Sequence, residues 1–436
     1  MIRFYTAVII ATFLLAACAA PQQKVNQSAA ATTSMGDSLP APFATKSSKN
    51  YSKVIGWKDG EKPTAPAGFD VSMFSKGLDN PRWIYQAPNG DIFIAETNTI
   101  LSGLKKFGAS ISRKIKTQNY GESANRIRMF RDKDKNGSYE TVSVFAENLN
   151  QPLGMLVLNN HFYVANTDGL DMYDYTTGDT VLPTQKKRIV ALPAGGYNNH
   201  WTRNIIANKE GTKIFITVGS GSNNGENGMD KEVRRANILE INPDGTGERI
   251  YAFGLRNPVG IGLEPVTNVI WTAVNERDEL GDELVPDYTT SVKDGGFYGW
   301  PYAYFGANAD PRMKDDPHPE LVNKTIVPDV ALGAHTASLG LAFYTKTKFP
   351  AKYQGGLFIG QHGSWNRKSF SGYKVVFIPF ANGKPSGKPE DFLTGFIADQ
   401  SKDEVRGRPV GVTVLQDGSM LVADDASRVI WKVSAK

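Results

Sequence analysis

One histidine and a set of arginines carry the chemistry this sequence offers. His200 opens the run His200-Trp201-Thr202-Arg203, and Arg256-Asn257 sits within Gly254-Leu255-Arg256-Asn257-Pro258. Arg82 follows Asn80-Pro81, Arg408 stands in Arg406-Gly407-Arg408-Pro409, and Arg367 ends His362-Gly363-Ser364-Trp365-Asn366-Arg367. Planar guanidinium groups pair carboxylates and phosphates through two parallel hydrogen bonds, so arginines converging on one mouth want a polyanionic ligand. An imidazole that titrates near neutrality is the usual proton acceptor, and among the residues at these opening positions only His200 is a histidine. Together they predict a site that binds an anionic small molecule and moves a proton.

Each of these residues stands at an equivalent point of a repeated unit. The unit is a polar turn, a strand, a tight turn and a second strand ending in a polar residue. It recurs from Asp79 to Glu96, Asn150 to Asn166, Asn199 to Gly219, Gly254 to Asp278, Ala337 to His362 and Gly407 to Asp425. In an antiparallel pair the start of one strand and the end of the next share an edge. The openings therefore bring Arg82, Gln151, His200, Arg256, Asn257 and Arg408 to one funnel, and the exits bring Glu96, Asn166, Ser220, Glu276, His362 and Asp424. Six imperfect all-β repeats predict a six-bladed β-propeller of four-stranded antiparallel blades. Residues 69–75 should add an outer strand beside 429–433, closing the ring and hiding both edges.

The chain begins with a basic start, an apolar run from Phe4 to Leu15 and the small residues Ala16-Ala17 before Cys18. That pattern is an export signal, too short to span a bilayer as a helix. It resembles a bacterial lipoprotein signal, which implies cleavage after residue 17, acylation of Cys18 and, with Ala19 following, sorting to the outer membrane. Cys18 is the only cysteine in 436 residues, so the exported domain forms no internal disulfide. Residues 18–48 are rich in Ala, Ser, Thr, Pro and Gln and read as a flexible tether, leaving 49–436 as the propeller. The net charge of +5 is thinly spread, which argues against nucleic acid and leaves the lipid anchor as the membrane contact. Asp132, Asp134, Asn136 and Gly137 look like the start of a calcium loop, but Glu140 falls short of the twelfth position and the segment reads as a hairpin turn.

The set of motifs resembles the glucose/sorbosone dehydrogenase family, in its sorbosone-dehydrogenase-like branch. It rests on Asn80-Pro81-Arg82-Trp83, His200-Trp201-Thr202-Arg203-Asn204, Gly254-Leu255-Arg256-Asn257-Pro258, Asn275-Glu276-Arg277-Asp278, Gly299-Trp300-Pro301, His335-Thr336-Ala337, His362 to Arg367, and Arg406 to Val410. The resemblance implies a soluble quinoprotein holding pyrroloquinoline quinone (PQQ) and calcium, and oxidising a sugar or sugar-derived aldehyde. It makes His200 the catalytic base, puts Arg256 and Asn257 against the quinone oxygens, and gives its carboxylates to Arg406 and Arg408. Arg367 stands in for a cofactor-binding lysine, and Gln151 joins the cofactor set through its opening position. Ser220, His335, His362 and Trp365 are expected toward the substrate, and Glu276, Arg277 and Asp278 replace the residues that ligate calcium in the sugar dehydrogenases. Ser220-Gly221-Ser222 stands where glucose-oxidising members have an acidic loop, which points away from glucose.

Two other functions use the same fold. A calcium-dependent lactonase would place an ion on the axis, with Glu96, Asn166 and Glu276 as ligands, and would not need the arginines. A non-catalytic propeller would present its face to a partner, and His200 would then be replaceable. The sequence names no electron acceptor.

Overall fold

The computed structural model of the protein describes residues 39–100, 114–117 and 120–436. The expected export signal, the lipidation site Cys18 and the first part of the tether lie outside the described residues. The described chain is mostly strands and loops, with one α-helical turn at Pro319–Val322 and five short 3-10 turns. No helix among the described residues is long and apolar enough to cross a membrane.

Six successive antiparallel sheets make up the body. Their first two strands are Pro81–Gln86 with Ile92–Glu96, Met155–Leu158 with His161–Asn166, and Ile205–Ala207 with Ile214–Val218. Then come Pro258–Leu263 with Ile270–Val274, Ser338–Phe343 with Leu357–Gln361, and Pro409–Val414 with Met420–Asp424. These are the hairpins that the repeats predict. Five sheets have four strands, and the third gains a short parallel fifth, Gly296–Phe297 beside Arg249–Phe253. The sixth sheet takes its outer strand from the start of the described chain: Phe69–Lys76 pairs antiparallel with Val429–Ala435, as expected.

Packing explains why the second strands are mostly apolar up to their polar ends. Ile92–Glu96, Ile214–Val218, Ile270–Val274, Leu357–Gln361 and Met420–Asp424 are buried at every position, because each sheet is covered on both faces. One hydrophobic cluster fills each gap between consecutive sheets. Phe93, Phe145 and Phe162 join the first to the second, and Trp271, Phe343 and Leu357 the fourth to the fifth. A further cluster, with Ile84 and Ile94 against Leu421 and Ile430, joins the sixth back to the first. The outer strands meet solvent and show it, as in Lys187–Ala191 and Arg249–Phe253. Between the fifth and sixth sheets the backbones touch: a methyl group at Gly340 or Gly360 would overlap the Val410 carbonyl.

The end of the expected tether behaves otherwise. Phe43 N–H donates to Leu280 O at 2.7 Å and Ser48 N–H to Asp282 Oδ1 at 2.7 Å. Thr45 and Ser47 accept from the Asp282 and Gly281 N–H groups. Residues 39–48 are thus fastened to the loop after the fourth sheet's second strand. Their small hydroxyls, which make a poor core, are good partners for that loop's backbone. The strap continues through Lys53 and Val54, which pair in parallel with Glu404 and Val405.

Candidate active site

The strand register brings the repeat openings against their exits. Pro81 lies opposite Glu96, Pro258 opposite Val274, Ser338 opposite Gln361 and Pro409 opposite Asp424. Several exits then act as latches on the turns. Glu96 accepts the Asp79 N–H at 2.6 Å, Asn166 that of Asn150 at 3.1 Å, and Asp424 that of Arg408 at 2.8 Å. Glu96 also holds Arg126, and Asn166 donates to Asp171 at 2.9 Å. These buried polar ends satisfy backbone donors rather than face a ligand.

His200 stands at the opening of the third sheet, half-buried. Its Nδ1 lies 2.9 Å from both the carbonyl and the hydroxyl oxygen of Ser220. A carbonyl only accepts, so Nδ1 carries the proton and Nε2 keeps its lone pair. Burial, reinforced by the Arg256 guanidinium, pulls the pKa down to about 3. His200 is therefore a neutral, tautomer-fixed base. Ser220 is correspondingly occupied in orienting it, not in meeting substrate as expected.

Arg256 lies beside His200 but has all five of its N–H donors engaged. They reach Asn223 O and Oδ1 at 3.0 and 2.8 Å, Asn275 O at 3.2 Å, Glu276 O at 2.5 Å and Asp278 Oδ2 at 3.2 Å. It ties the two rim loops together, with no N–H left over for the expected quinone contact. Asn257 keeps a buried side-chain oxygen without a partner. The expected calcium trio is also committed elsewhere. Glu276 Oε2 accepts from Arg277, whose guanidinium reaches Pro301 O, Ala303 O and Asp310. Asp278 faces Arg256 on one oxygen and His335 Nδ1 at 3.4 Å on the other, and against the upward pull of burial these cations hold it ionised. His335 gives its other nitrogen to Gly281 O at 2.8 Å, so both nitrogens are turned into the loop and neither is left for substrate.

The other half of the rim is built on the fifth and sixth sheets. Arg408 is buried over the Tyr373 ring at 5.5 Å and donates to His362 O at 3.1 Å and Gly363 O at 3.2 Å. Among the described residues no carboxylate pairs with it. His362 Nε2 sits 2.9 Å from Asp425, which pairs with Arg82 at 2.7 Å, so His362 is part of a buried network rather than a substrate contact. Burial and Arg408 bring His362 down to about 3. Tyr120 feels the charges of Arg408, Asp278 and Arg82, and Tyr51 those of Tyr120 and Asp278. Tyr120 is thus within electrostatic reach of both Asp278 and the Arg82–Arg408 side of the site. Sequence reasoning missed Tyr51, Tyr120 and Asp425; of these only Asp425, adjoining the exit residue Asp424, left a signal.

Two expected cradle arginines point elsewhere. Arg406 stacks on Trp57 at 5.6 Å and pairs with Glu61 at 3.1 Å, while Arg367 pairs with Glu283 at 2.7 Å. Both are drawn off by residues distant in sequence. Gln151 donates to Asn98 O at 2.9 Å, which engages its side-chain amide within the first repeat's exit loop. Trp365 stacks flat against Tyr51 with ring centroids 5.9 Å apart.

The family profile for glucose/sorbosone dehydrogenase matches residues 175–364, and a TrAA12-like profile matches 305–436. An uncharacterised protein of Borreliella burgdorferi is 30% identical over 381 residues, covering 84% of this chain and 89% of its own. The chain belongs to the glucose/sorbosone dehydrogenase family. The PQQ-dependent pyranose dehydrogenase of Coprinopsis cinerea is 23% identical over 441 residues, covering 84% of this chain. The match spans only 53% of that enzyme. A calcium structure of the Trichoderma reesei carbohydrate-active enzyme of family AA12 superposes with a TM-score of 0.68 at 18% identity, over 89% of this chain and 99% of that one. That likeness shows a shared fold.

Proposed function

We propose that this protein is a six-bladed β-propeller quinoprotein that oxidises a small sugar or sugar-derived aldehyde with PQQ. The six sheets and the cluster that packs the last on the first support the propeller, and PQQ-dependent sugar dehydrogenases among the relatives support the chemistry. The observation that carries the reading is the neutral His200, with Nε2 free of its proton, together with a buried Arg408 that rests on Tyr373 and two peptide carbonyls and pairs with no carboxylate among the described residues. A buried guanidinium without a counter-charge suits a carboxylate, and PQQ is a polycarboxylate. Arg408 would hold one of its carboxylates and Asn257 would offer a polar contact, while Arg406, Arg367 and Arg256 are committed to protein partners. PQQ, when bound, supplies the two-electron acceptor.

His200 Nε2 takes the proton of the substrate hydroxyl, and the Ser220 pair keeps the ring aimed. Burial and Arg256 hold its pKa well below the ordinary histidine range, which keeps it neutral near pH 7. Calcium does not fit the side chains of Glu276, Arg277 and Asp278. Only Glu276 Oε1 lacks a hydrogen-bond partner there, against the six to eight oxygens calcium takes. The lactonase ligands are likewise engaged, Glu96 by Arg126, Asn166 by Asp171 and Glu276 by Arg277. A partner-binding face has no use for a base held in one tautomer. Export and attachment through Cys18, at the periplasmic face of the outer membrane, complete the proposal on the strength of the signal sequence.

His200→Ala tests the catalytic role. It should keep the fold and the affinity for PQQ while turnover with an artificial dye falls ~10²–10⁴-fold. A variant that binds PQQ and still oxidises aldoses or ketoaldehydes at the parent rate sinks the assignment.

A further inference from the structure

Behind Ser220 lies a carboxylate with no evident structural purpose. Glu232 follows the short turn Met229–Lys231 and is 6% exposed. Its Oε2 accepts the Gly221 N–H at 2.7 Å, and its Oε1 accepts the Ser222 hydroxyl at 2.5 Å. Among the described residues no lysine, arginine or histidine comes within ion-pair distance of it, although Arg235 feels its charge. An unpaired buried carboxylate is costly, and apolar residues would fill that space at less expense.

The hydrogen bonds that leave Glu232 lead to His200. The turn it holds presents the Ser222 carbonyl, which accepts the Ser220 hydroxyl at 2.7 Å. With its proton directed there, Ser220 Oγ can only accept from His200 Nδ1. Gly221 O also accepts the Asn199 N–H at 3.0 Å, fixing the residue before His200. If the turn relaxed, the Ser220 hydroxyl would be free to rotate and donate to Nδ1. The Ser220 carbonyl would then be all that holds the proton on Nδ1, and part of the population would carry it on Nε2 instead.

We propose that Glu232 is a positioning residue that, through Ser222 and Ser220, fixes His200 in the tautomer with Nε2 free. The catalytic consequence rests on the dehydrogenase reading above; the tautomer does not. The other charges around the ring, Arg256, Asp278 and Arg203, act on its protonation but are not hydrogen-bonded to Nδ1.

Glu232→Gln and Ser222→Ala are the tests, read first by ¹⁵N NMR of the histidine-labelled protein, with the His200 signal assigned by its loss in His200→Ala. The parent should show a protonated Nδ1 and a bare Nε2. In Glu232→Gln a substantial Nε2–H population should appear, while the signals of His335 and His362 report that the fold is kept. With PQQ and sugar, kcat should fall ~10–100-fold, the usual effect of losing an orienting partner, with KM unchanged. Ser222→Ala should move both readouts the same way and decides the matter if Glu232→Gln does not fold. An unchanged Nδ1–H signature in both variants overturns the proposal. A parent protein that shows the expected tautomer and its loss in the variants, yet oxidises no sugar, refutes the dehydrogenase reading and leaves Glu232's role standing.

Discussion

Asp425→Asn probes the buried network that links the fifth and sixth sheets to the first. Asp425 accepts from Arg82 at 2.7 Å, with the two side chains 2% and 6% exposed, and lies 2.9 Å from His362 Nε2. Its carboxyl is held well below the usual range: burial pushes it up, but His362 and Arg82 outweigh that. Replacing the charge by an amide keeps the shape but takes from the buried Arg82 the carboxylate it pairs with, and takes the same negative charge from the nearby Arg408. Breaking a buried pair on one side costs about 3–5 kcal/mol. With a urea slope of about 3 kcal/mol per M, the upper end for small domains, the unfolding midpoint should drop by about 1–1.7 M. Arg82→Met in the same chain removes the stranded charge, so the double variant should regain at least half of the loss. A midpoint shift below ~0.3 M, or a double variant weaker than the single, would refute the argument.

Arg408→Met should weaken PQQ binding ~10–150-fold, the equivalent of ~1.5–3 kcal/mol for a charge-assisted partner. Arg406→Met should leave the affinity unchanged and expose the 39–61 strap to protease; cofactor titration and limited proteolysis distinguish the two. Stability should fall on acidification. His362 has a folded pKa of about 3 against an ordinary ~6.5, so the unfolded chain binds more protons between those values. That histidine alone should remove up to about 1.4 kcal/mol per pH unit as the pH drops from ~6.5 toward 3, with its contribution constant above. Equal urea midpoints at pH 7.5 and 4.5 would contradict it. Gly360→Ala should cost about 1–3 kcal/mol by forcing the fifth sheet off the Val410 backbone, measured by the same urea titration.

The inner hairpins were legible because burial on both faces leaves a plain trace: a short apolar run between turn residues. Closure by residues 69–76 was legible for a related reason, since a lone alternating segment before the first repeat needs a partner. His200 stood out as the one histidine at an opening position, and its Nδ1 lies against Ser220. The arginines were not legible, because which guanidinium is free depends on partners hundreds of residues away. Arg406 and Arg408 are two positions apart, yet Glu61 and Trp57 claim one while Tyr373 and two carbonyls hold the other. Spacing carries no record of Glu61. The exit carboxylates misled in the same way, because Glu96 and Asp424 latch their own turns through backbone N–H groups that any sequence would supply.

The pairing of Phe69–Lys76 with Val429–Ala435 joins segments roughly 350 residues apart and brings the sixth sheet beside the first. Bringing such distant segments together costs about 5 kcal/mol of loop entropy, comparable with the whole stability of an ordinary domain. Until the join is made, the first and sixth sheets each present a bare apolar flank, and Ile84, Ile94, Leu421 and Ile430 meet water. The five other gaps must therefore subsidise the sixth, which couples all six sheets into one cooperative unit. A chain cut within 69–76 should lose more than an edge strand, because that strand covers Val429–Ala435, whose Ile430 packs against the first sheet.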